Sequence, residues 1–148
     1  MPLSSEDNAL FLKQFFDLSL PKSQFDHYGH LRLAWLVLRE QPLPQACPTI
    51  ANAIRRYASH LGAADKYHHT LTIAIIHLMA ARISDEESFD EYLQHHPELV
   101  NDMNNLLAQH YSAECLHSDT ARRSFQLPDR QPLPVDMMSE SASAGAAA

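Results

Sequence analysis

The 148-residue chain predicts an all-α fold, a single helical bundle of about five or six helices followed by a disordered C-terminal tail. Three observations carry that prediction. Apolar residues recur at helical spacing through most segments before Pro128. No run alternates apolar and polar residues convincingly enough to read as a strand. From Pro128 onward the chain turns to Pro, Ser, Ala and Gly with no periodic apolar face, as in Ser139-Glu140-Ser141-Ala142-Ser143-Ala144-Gly145-Ala146. The helical domain is therefore expected over 1–128 and the tail over 129–148. With 45% hydrophobic residues, the domain has the means to build a core.

The elements follow in order. Ser4 or Ser5 is placed to cap a first helix from Glu6 to about Leu18, with Phe11, Phe15 and Leu18 on one face and Pro21 beyond its end. Asp26 is the expected N-cap of a second helix, about His27 to Arg39. Pro42, Pro44 and Pro48 read as a stiff connection, after which Thr49 caps a third helix from about Ile50 to Leu61. Gly62 supplies its left-handed stop. Asp65 is expected to cap a fourth and most apolar helix, about Lys66 to Ile83. Ser84-Asp85-Glu86-Glu87 has capping-box spacing for a short fifth helix through Phe89, Tyr92 and Leu93. Pro97 restarts the chain, and Leu99, Met103, Leu106, Leu107 and His110 mark a sixth helix. Ser112 and Ser118 are placed to cap short turns.

Charge and composition exclude several classes. A formal net charge of −7 makes a poor match for nucleic acid, whose binding rests largely on Lys and Arg. Cys47 and Cys115 have no CxxC spacing, so neither a thiolate zinc site nor a redox motif is readable. The N-terminus lacks a basic and then apolar leader, and the most apolar stretch, Leu71 to Ala81, is too short to cross a bilayer and carries His77. A soluble cytoplasmic protein is expected. No phosphate loop, dinucleotide fingerprint or nucleophile elbow is present.

The outlier is the count of 10 histidines. His27 and His30 stand at i, i+3, so they share a helix face, and that face continues apolar through Leu31, Ala34 and Leu38. His68 opens a second stripe through Thr72, Ile75 and Met79, and His69 an adjacent one through Ile73, Ile76 and Ile83. Periodicity leaves open which of the two faces the first pair. Paired inward ligands at this spacing are how helix bundles hold metals, and three imidazoles suit iron, zinc, copper or nickel. His27, His30 and His68 are thus the candidate ligands of a divalent transition metal. His69 is a fourth ligand or an acid/base group, and Tyr67 a hydrogen-bonding or acid group beside it. A single histidine near a helix start more often caps or hydrogen-bonds than ligates. Two pairs at two apolar helix starts shift the balance toward a site. His110 extends the apolar face of its own helix and reads equally as structural or functional.

The chain resembles a group of small bacterial all-helical proteins of unassigned function. The resemblance lies in Phe25-Asp26-His27-Tyr28-Gly29-His30-Leu31-Arg32-Leu33-Ala34-Trp35, in Lys66-Tyr67-His68-His69-Thr70-Leu71-Thr72, and in the stretch from Tyr111-Ser112 to Leu127-Pro128-Asp129. Similar proteins often carry Glu where this chain has His69, which implies that His69 takes the place of a ligand or base. The resemblance implies a site and names no reaction.

The leading expectation is a small metalloenzyme, an oxidoreductase or metal-assisted hydrolase acting on a small-molecule substrate. A metal-free binder or enzyme, with histidines moving protons at a pocket, is the first alternative. The second is a helical interaction module whose fourth helix docks a partner or another copy of the chain.

Overall fold

The computed structural model describes residues 5–84 and 88–134. Among these residues the chain forms helices joined by short turns, and no strand is present. Residues 135–148, most of the expected tail, lie outside the described residues, as does the Ser4 cap.

Helix α1 (Ser5–Phe16) buries Phe11 and Phe15 as the spacing requires. Its end is set before Pro21 by Leu18, which adopts φ 69° while Ser19 N–H turns back to the Gln14 carbonyl at 2.8 Å. Helix α2 (His27–Glu40) starts where expected, with the Asp26 carboxylate accepting from Gly29 N–H at 2.9 Å. Leu31, Leu33 and Trp35 are buried along it. Gly29 is needed for space, because a Cβ there would run into the Gln24 carbonyl oxygen of the preceding 3-10 turn, Lys22–Gln24.

Helix α3 (Leu43–His60) corrects the expected proline-rich connection, since it begins seven residues before Ile50. Pro44 lies in the first turn, where its missing N–H costs no helical bond. Pro48 lies deeper in the helix, where burial of Leu43, Ala46 and Ile50 on one face compensates for the lost bond. Thr49 does not cap; its hydroxyl donates back to the Gln45 carbonyl at 2.9 Å. Cys47 is half-buried here, and burial pushes its thiol up to about 11. Gly62 ends the helix at φ 75°.

Helix α4 (His69–Ala80) starts later than expected. Asp65 falls instead in a 3-10 turn, Ala64–Lys66, and the cap is His68, whose Nδ1 accepts from Leu71 N–H at 3.0 Å. Helix α5 (Phe89–His95) has its capping box at Ser88 and Glu91, both arms formed, rather than at Ser84; residues 85–87 lie outside the described residues. The expected sixth helix is broken at Asp102 into α6 (Glu98–Asn101) and α7 (Met103–Ala108). Ser112 and Ser118 cap α8 (Ala113–Leu116) and α9 (Asp119–Arg123) as read from the sequence.

Helices α2, α3 and α4 pack against one another, and α9 lies on α4. Their shared core contains Phe15, Leu31, Trp35, Ile50, Tyr57 and Leu99.

The domain boundary moves from 128 to at least Pro134. Asp129 receives Ser112 N–H at 2.7 Å, Arg130 N–H donates to the His110 carbonyl at 3.0 Å, and Leu133 is buried in the core. Thr70, fully buried on α4, holds the approach to this segment: its hydroxyl donates to the Ser124 carbonyl at 2.9 Å and accepts from Gln126 N–H at 3.0 Å. These ties are isolated contacts, side chain to backbone or backbone to backbone, and one buried leucine, so no side-chain periodicity announces them.

Candidate functional site

A cleft of about 520 Å³ opens between α2, α3 and α4. Its floor is apolar and buried, made by Leu31, Ala34, Ile50, Ile54 and Ile76. Its rim is polar and exposed, made by Lys22, Asp26, His27, His30 and Lys66. Tyr67 and His68 also border it. Four of the five histidine-and-tyrosine positions singled out in the sequence therefore meet at one cleft. His69 does not line it and reaches it through Tyr67.

The first pair is at the rim and not in the core. His27 and His30 occupy the first turn of α2, ahead of Leu31, where the helix begins to be covered by its neighbours. His27 Nε2–H donates to the Leu99 carbonyl at 2.9 Å, joining α2 to α6. In the neutral ring this leaves Nδ1 with the lone pair. His30 has the opposite arrangement: Nδ1–H donates to the Asp26 carbonyl at 2.9 Å, so the lone pair is on Nε2. Its ring stacks on Phe25 with centroids 4.0 Å apart. His30 keeps an exposed edge, but the protein packed around the rest of the ring, with Phe25 stacked on it, desolvates it enough to hold its pKa below the usual imidazole value, and neighbouring His27 adds to the shift, against the raising influence of the Asp26 carbonyl and carboxylate.

His68 is committed at both nitrogens. Nδ1 caps α4, and Nε2–H donates to the Leu116 carbonyl at 2.7 Å. As a metal ligand it would have to release one of these. Among the described residues, no group of three or more His, Cys, Asp or Glu side chains is placed to hold a metal ion.

The expected acid/base pair is in contact. Tyr67 O–H donates to His69 Nδ1 at 2.8 Å, and the Arg55 guanidinium donates to the same nitrogen at 3.3 Å. The His69 proton therefore sits on Nε2. Desolvation lowers the His69 pKa, and the Arg55 charge lowers it further. Arg55 also lies over the Tyr67 ring, 4.9 Å from its centroid. Desolvation raises the Tyr67 pKa, so its hydroxyl stays protonated as a donor.

No protein-family model matches the chain, and neither a curated protein nor a solved structure matches it. The functional reading therefore rests on the cleft.

Three residues of this region were not singled out as site residues from the sequence. Lys66 adjoins Tyr67 and His68, and that adjacency was its only signal. Arg55 shows in the sequence only as half of the basic pair Arg55-Arg56, and Lys22 shows nothing, because the fold alone carries both to the region. On its other side, the wall formed by His27, Leu71 and Ile75 borders a second cleft of about 580 Å³, flanked by Asn101, Asn104 and Asn105. None of the described helices is long and apolar enough to cross a membrane.

Proposed function

We propose that this protein binds a small, largely apolar molecule in the cleft, with His30 as the group able to take a proton from it or return one. The observation that carries the reading is the cleft's construction, a buried apolar floor under a polar rim. Its volume lies within the roughly 300–1,000 Å³ of small-molecule sites. His30 supports the acid/base part, because its proton is fixed on Nδ1 and its pKa is lowered, which leaves a neutral imidazole with a basic nitrogen near pH 7.

The test uses the neutral fluorescent dye N-phenyl-1-naphthylamine. Saturable binding with a blue-shifted emission is expected for the native chain, and loss of that binding for Ala58→Trp, which fills the cleft from the half-buried wall of α3. Absence of saturable binding, or binding indifferent to Ala58→Trp in a folded variant, overturns the reading.

A metal ion at the rim is the second reading. It is favoured by the lone pairs of His27 Nδ1 and His30 Nε2 on adjacent first-turn positions of α2. Here iron, zinc, copper or nickel would supply redox chemistry or an activated water. Elemental analysis of untagged protein tests it: bound metal lost in His30→Ala supports it, and metal-free native protein overturns it.

A further inference from the structure

We infer that the cleft is built for an apolar acid, a ligand with a hydrocarbon body and one anionic end, held with the charged end at the rim. This rests on the reading of the cleft as a small-molecule site and specifies the class of ligand. The chain carries a formal net charge of −7, yet two ammonium groups border the same mouth from different parts of the fold. Lys22 comes from the 3-10 turn before α2, and Lys66 from the 3-10 turn before α4. Both are exposed, and among the described residues neither ammonium group has an ion-pair or hydrogen-bond partner. The carboxylate beside them, Asp26, accepts the Gly29 N–H as the cap of α2. The rim thus holds two unpaired cations against one engaged anion.

The floor fixes the orientation. It offers a carboxylate no cation, and the hydroxyls beside it are already spent, Tyr57 on the Leu20 carbonyl, Thr72 on the His68 carbonyl and Tyr67 on His69, so an unpaired charge placed there would lose its hydration without return. At the rim the same carboxylate stays hydrated and meets Lys22 and Lys66. Exposed pairs of this kind are individually weak and are screened by salt, so the two together favour the anion by about five- to tenfold.

The experiment displaces the bound neutral dye from the full chain with octanoate and, separately, with 1-octanol at low ionic strength. It is repeated with the Lys22→Gln/Lys66→Gln double variant, checked for an unchanged helical spectrum. The ratio of octanoate to octanol affinity is expected to fall about five- to tenfold in the double variant, and to fall in the native chain at high salt, with octanol binding nearly unchanged. A ratio unaltered by the double substitution overturns the inference while leaving the cleft reading intact. Dye binding that neither compound displaces overturns it as well. Failure of the dye to bind the native chain removes the cleft reading itself.

Discussion

His68 and Leu116 are joined by a 2.7 Å hydrogen bond from the imidazole Nε2–H to the backbone carbonyl, linking the start of α4 to the end of α8. The other ring nitrogen caps α4 through Leu71 N–H. His68→Ala should therefore destabilise the fold by about 1–3 kcal/mol, combining a lost cap with an unsatisfied carbonyl. His68→Asn should recover part of this, because Asn is a good N-cap. Urea unfolding of the three proteins measures it. A neutral His68→Ala would mean that neither bond matters.

Gly29 gives a prediction in which two effects oppose each other. Helix propensity alone favours Ala over Gly by about 1 kcal/mol. The added Cβ, however, meets the Gln24 carbonyl oxygen, a backbone atom that cannot rotate away. Gly29→Ala is expected to cost about 1–3 kcal/mol net. A stabilised variant in thermal unfolding would show that the 3-10 turn yields.

The lowered pKa of His30 makes a signed pH prediction. The folded state favours the neutral ring, so the unfolded state binds its proton first as pH falls. The associated stability is fully present above the unfolded value of 6.5 and is lost as pH drops through the lower folded value. His69 acts in the same direction. Proton NMR should find the His30 midpoint below 6.5, and His30→Gln should flatten the stability profile in that window. A midpoint at or above the ordinary value contradicts this.

Thr70 gives a test of the segment after α9. Thr70→Val keeps the side chain's shape but leaves the Ser124 carbonyl and Gln126 N–H without their partner. Each loss costs about 1–3 kcal/mol. Hydrogen exchange should accelerate most in residues 124–134. Leu133→Ala, which opens a hole in the core, should cost about 2 kcal/mol or more in urea unfolding.

The sequence made legible those features that depend on local chemistry. Asp26, Ser112, Ser118 and Gly62 act at helix ends as their side chains or conformational freedom require, and the apolar periodicities of α1 and α2 are buried as read. It hid features in which tertiary packing overrides local preference. Pro44 and Pro48 look like a linker and are helical because Leu43 and Ala46 find a core. His68 caps α4 through Leu71 N–H, as its place at a helix start allows, but its second bond, to the Leu116 carbonyl, exists only through the fold. The cleft was half legible: His27, His30 and His68 meet at it, but the Tyr67–His69 contact requires Tyr67 to lie before the helix, since i, i+2 side chains do not face each other on one, and nothing local brings Lys22 and Lys66 to the same mouth. Asp129 to Pro134 was hidden because its ties are single contacts, the Asp129 carboxylate on Ser112, the Arg130 N–H on the His110 carbonyl and one buried Leu133, and isolated contacts make no periodic pattern.

The half-buried Cys47 has a practical consequence. The thiolate is the reactive form, and a thiol pushed up to about 11 is almost entirely protonated at neutral pH, while Cys115 is shifted the same way by burial. Iodoacetamide should therefore label the native chain slowly, at a pace set by opening of the fold. Mass-spectrometric counting of labelled thiols over time then becomes an intrinsic clock for opening events, with Cys47 reporting on α3 and the wall it gives to the core.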